Sequence, residues 1–183
     1  MGLSRGGAVT IDFALAHPDR VWALVLVVSG LRGYQAKAQQ VTDEQMAEWQ
    51  AAFKARDVER ITDVSLDIWA RLVVTDEIRR LCLENAESFF DHDDLLELGD
   101  ETPAAERLEE IEAPTLVVTG DRDVAAINEI GDVLEARISG ARRARLDSDH
   151  YVPMREPETF NRVVLEFLDA VAPMRRKRKG GSA

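Results

Sequence analysis

A chain of 183 residues, 45% hydrophobic and 31% charged, suits a single globular domain with a sizeable core. Its longest apolar stretch, Ala23 to Val28, is far too short to cross a bilayer, and its one cysteine, Cys82, excludes an internal disulfide framework and a thiolate-rich metal site. The net charge of −11 argues against nucleic acid as the main partner, because phosphate binding needs clustered cations on the folded surface.

The first element is a turn. Gly2-Leu3-Ser4-Arg5-Gly6 fits the pattern G-x-S-x-G, in which a sharp strand-to-helix turn presents a serine hydroxyl as nucleophile. A helix is predicted from Gly7 to His17, with Pro18 stopping it. The run Ala23–Val28 reads as a buried strand, because it is continuously apolar rather than alternating.

From Val41 to Leu108 the pattern becomes helical throughout. Thr42 and Gln45 form a capping box, and Met46, Trp49 and Phe53 follow on one face. Ile61, Ile68 and Leu72 do the same further on, and Thr75 caps a third helix predicted through Phe90. This stretch reads as a helical insertion over the sheet. Trp49, Phe53, Trp69 and Phe89 are candidates to line an apolar pocket beneath it, although each serves equally well to pack helix on helix. His92, among Asp91, Asp93 and Asp94, has a metal-site look without a second ligand phrase and reads better as a solvated acidic loop.

Strand and helix then alternate again. Thr115–Thr119 is a second buried strand, Ile127–Ile138 a helix ended by Ser139-Gly140, and Arg143–Leu146 a weaker strand. Pro157–Val171 is a last amphipathic helix. The alternation predicts an α/β fold with a mostly parallel sheet flanked by helices. Its expected parts are a core over 1–40, a helical insertion over 41–108 and the rest of the core over 109–172. A disordered basic tail is expected over 173–183. Arg175 to Lys179 are all cations, leaving 18 basic against 34 acidic residues before them. No charged-then-apolar signal segment opens the sequence, so the cytoplasm is the expected compartment.

Sheets of this kind place reactive residues on loops beyond the carboxyl ends of their strands. Ser4, Asp123 and His150 each fall in such a loop, in the chain order serine, acid, histidine. The acid has rivals in Asp121, Asp147 and Asp149. Asp121 suits a loop-turning role and Asp149, adjacent to the histidine, is expected to point elsewhere.

Three phrases together resemble the α/β-hydrolase fold family, in its esterase, lactonase and C–C hydrolase group. They are GLSRGGAVTIDFALAHPDRVWALVLV, APTLVVTGDRD and DHYVPMREPETFNRVVLEFL. The resemblance implies Ser4 as nucleophile, His150 as general base and Asp123 as the group that orients it. It also implies the Arg5 backbone N–H as an oxyanion donor, with Gly2, Gly6 and Gly7 permitting close packing around a strained serine. A small ester, lactone or related acyl substrate is implied, with no cofactor and no metal. A C–C bond hydrolase using the same triad, and a cofactor-free haloperoxidase-like activity, are the alternatives. Serine at the elbow makes haloalkane dehalogenase chemistry a poor fit, and Arg5 stands where many relatives carry methionine or glutamine.

The resemblance also implies strands before the elbow and an early His-Gly phrase supplying a second oxyanion donor. No His-Gly phrase occurs in the sequence. The expectation is therefore a truncated family member with Ser4 on a mobile end and the Ala23–Val28 strand exposed along one edge. Such a chain would self-associate through that edge, be a weak or inactive catalyst, or persist as a non-catalytic fragment or degraded paralogue.

Overall fold

The computed structural model describes residues 1–38, 41–90 and 102–180; the side chains of Phe89 and of residues 173–180 lie outside that description. Four strands, β1 (Gly2–Leu3), β2 (Leu24–Val27), β3 (Thr115–Gly120) and β4 (Arg142–Leu146), form one sheet in that order. Every neighbouring pair is parallel, with Leu26 opposite both Gly2 and Val117, and Val118 opposite Ala144. β2 and β3 are buried along their whole length, which is why both read as unbroken apolar runs.

Helix α1 (Arg5–Ala16) packs on β1 and β2, and α5 (Ala125–Arg137) packs on β3 and β4. Ile11 of α1 and Leu134 of α5 are fully buried, in one core with Leu26, Val27, Val117 and Val118. The short helix α6 (Val152–Arg155) leads into α7 (Pro157–Gly180), whose Phe160 and Phe167 join the same core. Helix α7 runs on to Gly180, into the segment where a basic tail was expected from residue 173. Arginine and lysine are good helix formers, and cations near a helix carboxyl end are favoured by its dipole.

Between β2 and β3 lie α2 (Asp43–Ala55), α3 (Val58–Trp69) and α4 (Asp76–Asn85), followed by a 3-10 segment, Ala86–Phe90. The Thr42–Gln45 capping box forms in both directions, and Thr75 accepts from the Ile78 N–H as the cap of α4. These helices have a small core of their own around Ala52, Ile61 and Ala86, against which Trp49, Phe53 and Phe90 pack. Leu72, expected on the α3 face, lies beyond the end of that helix. His92 falls outside the described residues. Among the described residues, no helix is long and apolar enough to cross a membrane.

The entry to the elbow differs from expectation. Gly2 and Leu3 pair with Leu26 and Val27, and the Ser4 N–H continues that ladder to the Val27 carbonyl at 2.9 Å. Two residues are thus enough to tie the serine turn to the sheet. Among the described residues, β1 rather than the upper half of β2 is the outermost strand on that side.

Candidate active site

Ser4 has φ 53° and ψ −119°, outside the regions that L-residues favour. Such a conformation costs on the order of 1–3 kcal/mol and persists only where its surroundings over-determine it. Here the Ser4 carbonyl accepts from the N–H groups of Gly7 (2.9 Å), Ala8 (3.4 Å) and Gly30 (2.9 Å). The Gly30 contact depends on Val28, a buried β-branched residue at φ 41° that bends the chain at the end of β2. The sequence signalled this only through the Ser29-Gly30 pair after an apolar run.

Ser4 is also the N-cap of α1, so the Arg5 N–H opens the helix without an intrahelical acceptor. That amide lies beside the half-buried serine, at the positive end of the helix dipole. The glycines are not equivalent. A Cβ on Gly2 would lie 2.2 Å from the Gly6 carbonyl oxygen, and one on Gly7 would lie 2.1 Å from Ser29 Oγ. A Cβ on Gly6 would meet nothing within 4 Å, so Gly6 is not needed for close packing as the motif suggested.

Asp123 follows β3 and is buried, with its Oδ1 accepting from the Val124 N–H at 2.7 Å. Its Oδ2 lies 2.8 Å from Nδ1 of His150, which follows β4 and is also buried. An ionised carboxylate only accepts, so this contact places the proton of a neutral imidazole on Nδ1 and leaves Nε2 as the acceptor. The two loops approach because residue 120 is glycine. A Cβ there would lie 2.2 Å from the Ser148 carbonyl oxygen. The Arg122 N–H donates to that same carbonyl at 2.9 Å, and the Asp121 N–H to the Leu146 carbonyl.

The rival acids point elsewhere. Asp147 pairs with Arg122 in solvent, and Asp121 lies 3.9 Å from Arg145. Asp149 is fully buried and accepts from the Leu72 and Tyr151 N–H groups and from Arg155. Burial alone would push its carboxyl up, but these donors outweigh it and hold the group below the ordinary carboxylate value.

Of the four candidate pocket residues, Trp69 meets the site, its ring centroid 4.5 Å from that of His150 at an interplanar angle of 35°. Trp49 and Phe53 stack on one another at 5.1 Å within the helical layer, and Phe53 also meets Phe90. The Phe89 side chain is outside the described residues. Cys82, on α4, donates to the Tyr151 hydroxyl at 3.5 Å. Burial raises the Tyr151 phenol well above its ordinary value, so it stays protonated. Among the described residues, no hydrogen bond joins Ser4 Oγ to His150 Nε2.

No protein-family model matches the chain. It is 30% identical over 179 aligned positions to a 2-hydroxy-6-oxononadienedioate/2-hydroxy-6-oxononatrienedioate hydrolase of Cupriavidus pinatubonensis, covering 92% of this chain and 61% of that protein. The chain thus spans about three-fifths of the length of that relative. Among solved structures it is similar to an enol-lactonase from Burkholderia xenovorans, with TM-score 0.66 and 25% identity over 92% of this chain and 64% of the other. A bromoperoxidase from Bacillus anthracis gives TM-score 0.73 at 18% identity over 92% of this chain and 66% of the other, a likeness of fold alone.

The chain has an α/β-hydrolase fold. Within that α/β-hydrolase fold, Ser4, Asp123 and His150 stand on loops at the carboxyl ends of β1, β3 and β4. With neighbouring strands about 4.8 Å apart, the acid loop starts roughly 10 Å across the sheet from the serine.

Proposed function

We propose that the chain carries the nucleophile, acid and base of a serine hydrolase acting on small ester, lactone or related acyl compounds. The observation that carries this reading is the buried 2.8 Å contact between Asp123 Oδ2 and His150 Nδ1, on the same sheet edge as the strained Ser4 turn. In the first half-reaction, His150 Nε2 takes the Ser4 hydroxyl proton as Oγ attacks the substrate carbonyl carbon. The Arg5 N–H donates to the developing oxyanion. The carbonyl carbon's bond to the leaving group then breaks, and the imidazolium returns its proton to that group. In the second half, His150 deprotonates water, which attacks the acyl carbon; the bond from that carbon to Ser4 Oγ breaks and the imidazolium returns its proton to Oγ. The contact between Ser4 Oγ and His150 Nε2 is one that a substrate complex must close, and catalytic hydrogen bonds of this kind tighten on complex formation.

A second reading, C–C bond hydrolysis, is favoured by the names of the curated relatives, which hydrolyse 2-hydroxy-6-oxo dienedioates. The same three residues would serve, with a carbon leaving group accepting the proton instead of an oxygen. The enol-lactonase likeness supports the lactone reading instead.

Intact mass after treatment with a fluorophosphonate tests the shared chemistry. A single adduct that is absent in both Ser4→Ala and His150→Ala is the expected result. Soluble protein without an adduct would sink the hydrolase reading and favour a non-catalytic role. With labelling established, simple esters, lactones and dienoic acids offered side by side separate the two reactions.

A further inference from the structure

We propose that the buried Asp149–Arg155 pair positions the end of α3, holding Trp69 against the imidazole of His150. This rests on the reading of His150 as general base. Asp149 precedes that histidine in the chain and its side chain is fully buried. Four donors converge on it: Leu72 N–H at 3.0 Å, Tyr151 N–H at 3.1 Å, and Arg155 through Nε at 3.2 Å and Nη2 at 2.8 Å. The third arm of the guanidinium, Nη1, donates to the Val73 carbonyl at 2.5 Å. One ion pair therefore grips two successive residues of the segment after α3, which are 77 and 82 positions away in sequence.

Trp69 is the last residue of α3, three residues before Leu72. Its ring lies on the histidine, so the segment is fixed to the His150 loop at two points: ring on ring, and backbone on carboxylate. A buried ion pair is a poor way to gain stability, because desolvating both charges offsets most of their attraction. It is a good way to fix geometry, because a planar fork and a carboxylate admit few arrangements. The covered face of the imidazole is closed to water and the ring is held in the plane in which Nδ1 meets Asp123. When His150 takes up the serine proton, the indole face also meets a cation, which it favours. Asp149 and Arg155 are positioning residues here; neither touches the reacting atoms.

The test uses the full chain carrying Trp22→Phe and Trp49→Phe, which leaves Trp69 as its one tryptophan. Acrylamide quenching then reads how well that ring is covered, and 4-nitrophenyl acetate turnover reads catalysis. In this background Arg155→Met is expected to raise the quenching constant and to lower kcat by about 10-fold, a usual scale for a small misplacement of a catalytic group. KM should change less than kcat, since neither Asp149 nor Arg155 touches the reacting atoms. Arg155→Lys, which keeps the charge and loses the fork, should fall between. Trp69→Phe should lower kcat with the ion pair intact. An unchanged quenching constant in both Arg155→Met and Arg155→Lys overturns the proposal, whatever the activity. So does a kcat unmoved by Trp69→Phe. A parent chain that neither hydrolyses the ester nor takes up a fluorophosphonate would overturn the hydrolase reading, and quenching alone would still decide whether the pair holds Trp69.

Discussion

Gly7 of α1 and Ser29 after β2 are packed so closely that a Cβ on the glycine would lie 2.1 Å from Ser29 Oγ, 2.7 Å from its Cβ and 3.0 Å from its Cα. Backbone as well as side chain would have to move to admit a methyl group. Gly6, its neighbour in the same helical turn, has open space where its Cβ would go. The two alanine substitutions should therefore have opposite signs. Gly7→Ala is expected to destabilise by about 1–3 kcal/mol through overpacking. Gly6→Ala should be neutral or stabilising by up to about 1 kcal/mol, because it removes a helix-disfavouring residue without a clash. Thermal melts of both variants decide this, and equal losses would contradict the packing described.

The choice of acid can be settled by three asparagine variants. Asp123→Asn should reduce kcat by about 10³–10⁴-fold, because an amide cannot both orient the imidazole and offset its charge. Asp121 and Asp147 are exposed and engaged with Arg145 and Arg122. Their asparagine variants should leave turnover within about twofold of wild type, as surface changes away from the site usually do. A large loss on Asp147→Asn with a small one on Asp123→Asn would move the acid role.

How much of this was legible beforehand depended on how local the signal was. β2 and β3 are covered on both faces, so composition alone marked them. The caps Thr42 and Thr75 were legible because a cap and its partner lie within three residues. β1 left no pattern, being two residues long and defined by what Leu26 and Val27 offer it. β4 looked weak because it carries a buried cation: the Arg143 guanidinium reaches Thr119, Asn128 and Asp132 beneath α5. Polar satisfaction of that kind is invisible to hydropathy.

The site divided in the same way. The positions of Asp123 and His150 beyond strand ends followed from the strand–loop rhythm, and that of Ser4 from the Gly2-Leu3-Ser4-Arg5-Gly6 motif alone. The part taken by Asp149 did not, because its partner Leu72 lies in another segment of the fold. Trp69 could be named among four aromatic residues but not separated from Trp49 and Phe53 without knowing where α3 ends.

Asp149 also sets an acid-dependent contribution to stability. Burial pushes its carboxyl up, and the hydrogen bonds from Arg155, Leu72 and Tyr151 reverse this, holding it below its ordinary value of 3.8. A carboxyl depressed in the folded state contributes stability that is complete above the ordinary value and is lost as pH falls through the folded one. At neutral pH, Asp149→Asn should cost about 3–5 kcal/mol, since the largely covered Arg155 guanidinium is left without its counter-charge. As pH drops below 3.8, the wild type should lose stability faster than the variant and the two curves should converge. Denaturant melts of both proteins from pH 7 to pH 2.5 measure the gap, and a gap that widens in acid would refute the account.

The open side of β1 supplies the last prediction. Its other side is hydrogen-bonded to β2, and Leu3 is 44% exposed; on the neighbouring helix Val9 is 54% exposed. An unpaired edge beside exposed apolar side chains is a template for pairing with another chain. We expect the protein to self-associate through this edge in a concentration-dependent way. A lysine on an edge strand opposes such pairing, so Leu3→Lys should shift sedimentation toward the monomer. Val9→Lys, on the adjoining face of α1, should act in the same direction without altering the strand. If both variants sediment as the wild type does across the same concentrations, any assembly uses a different surface.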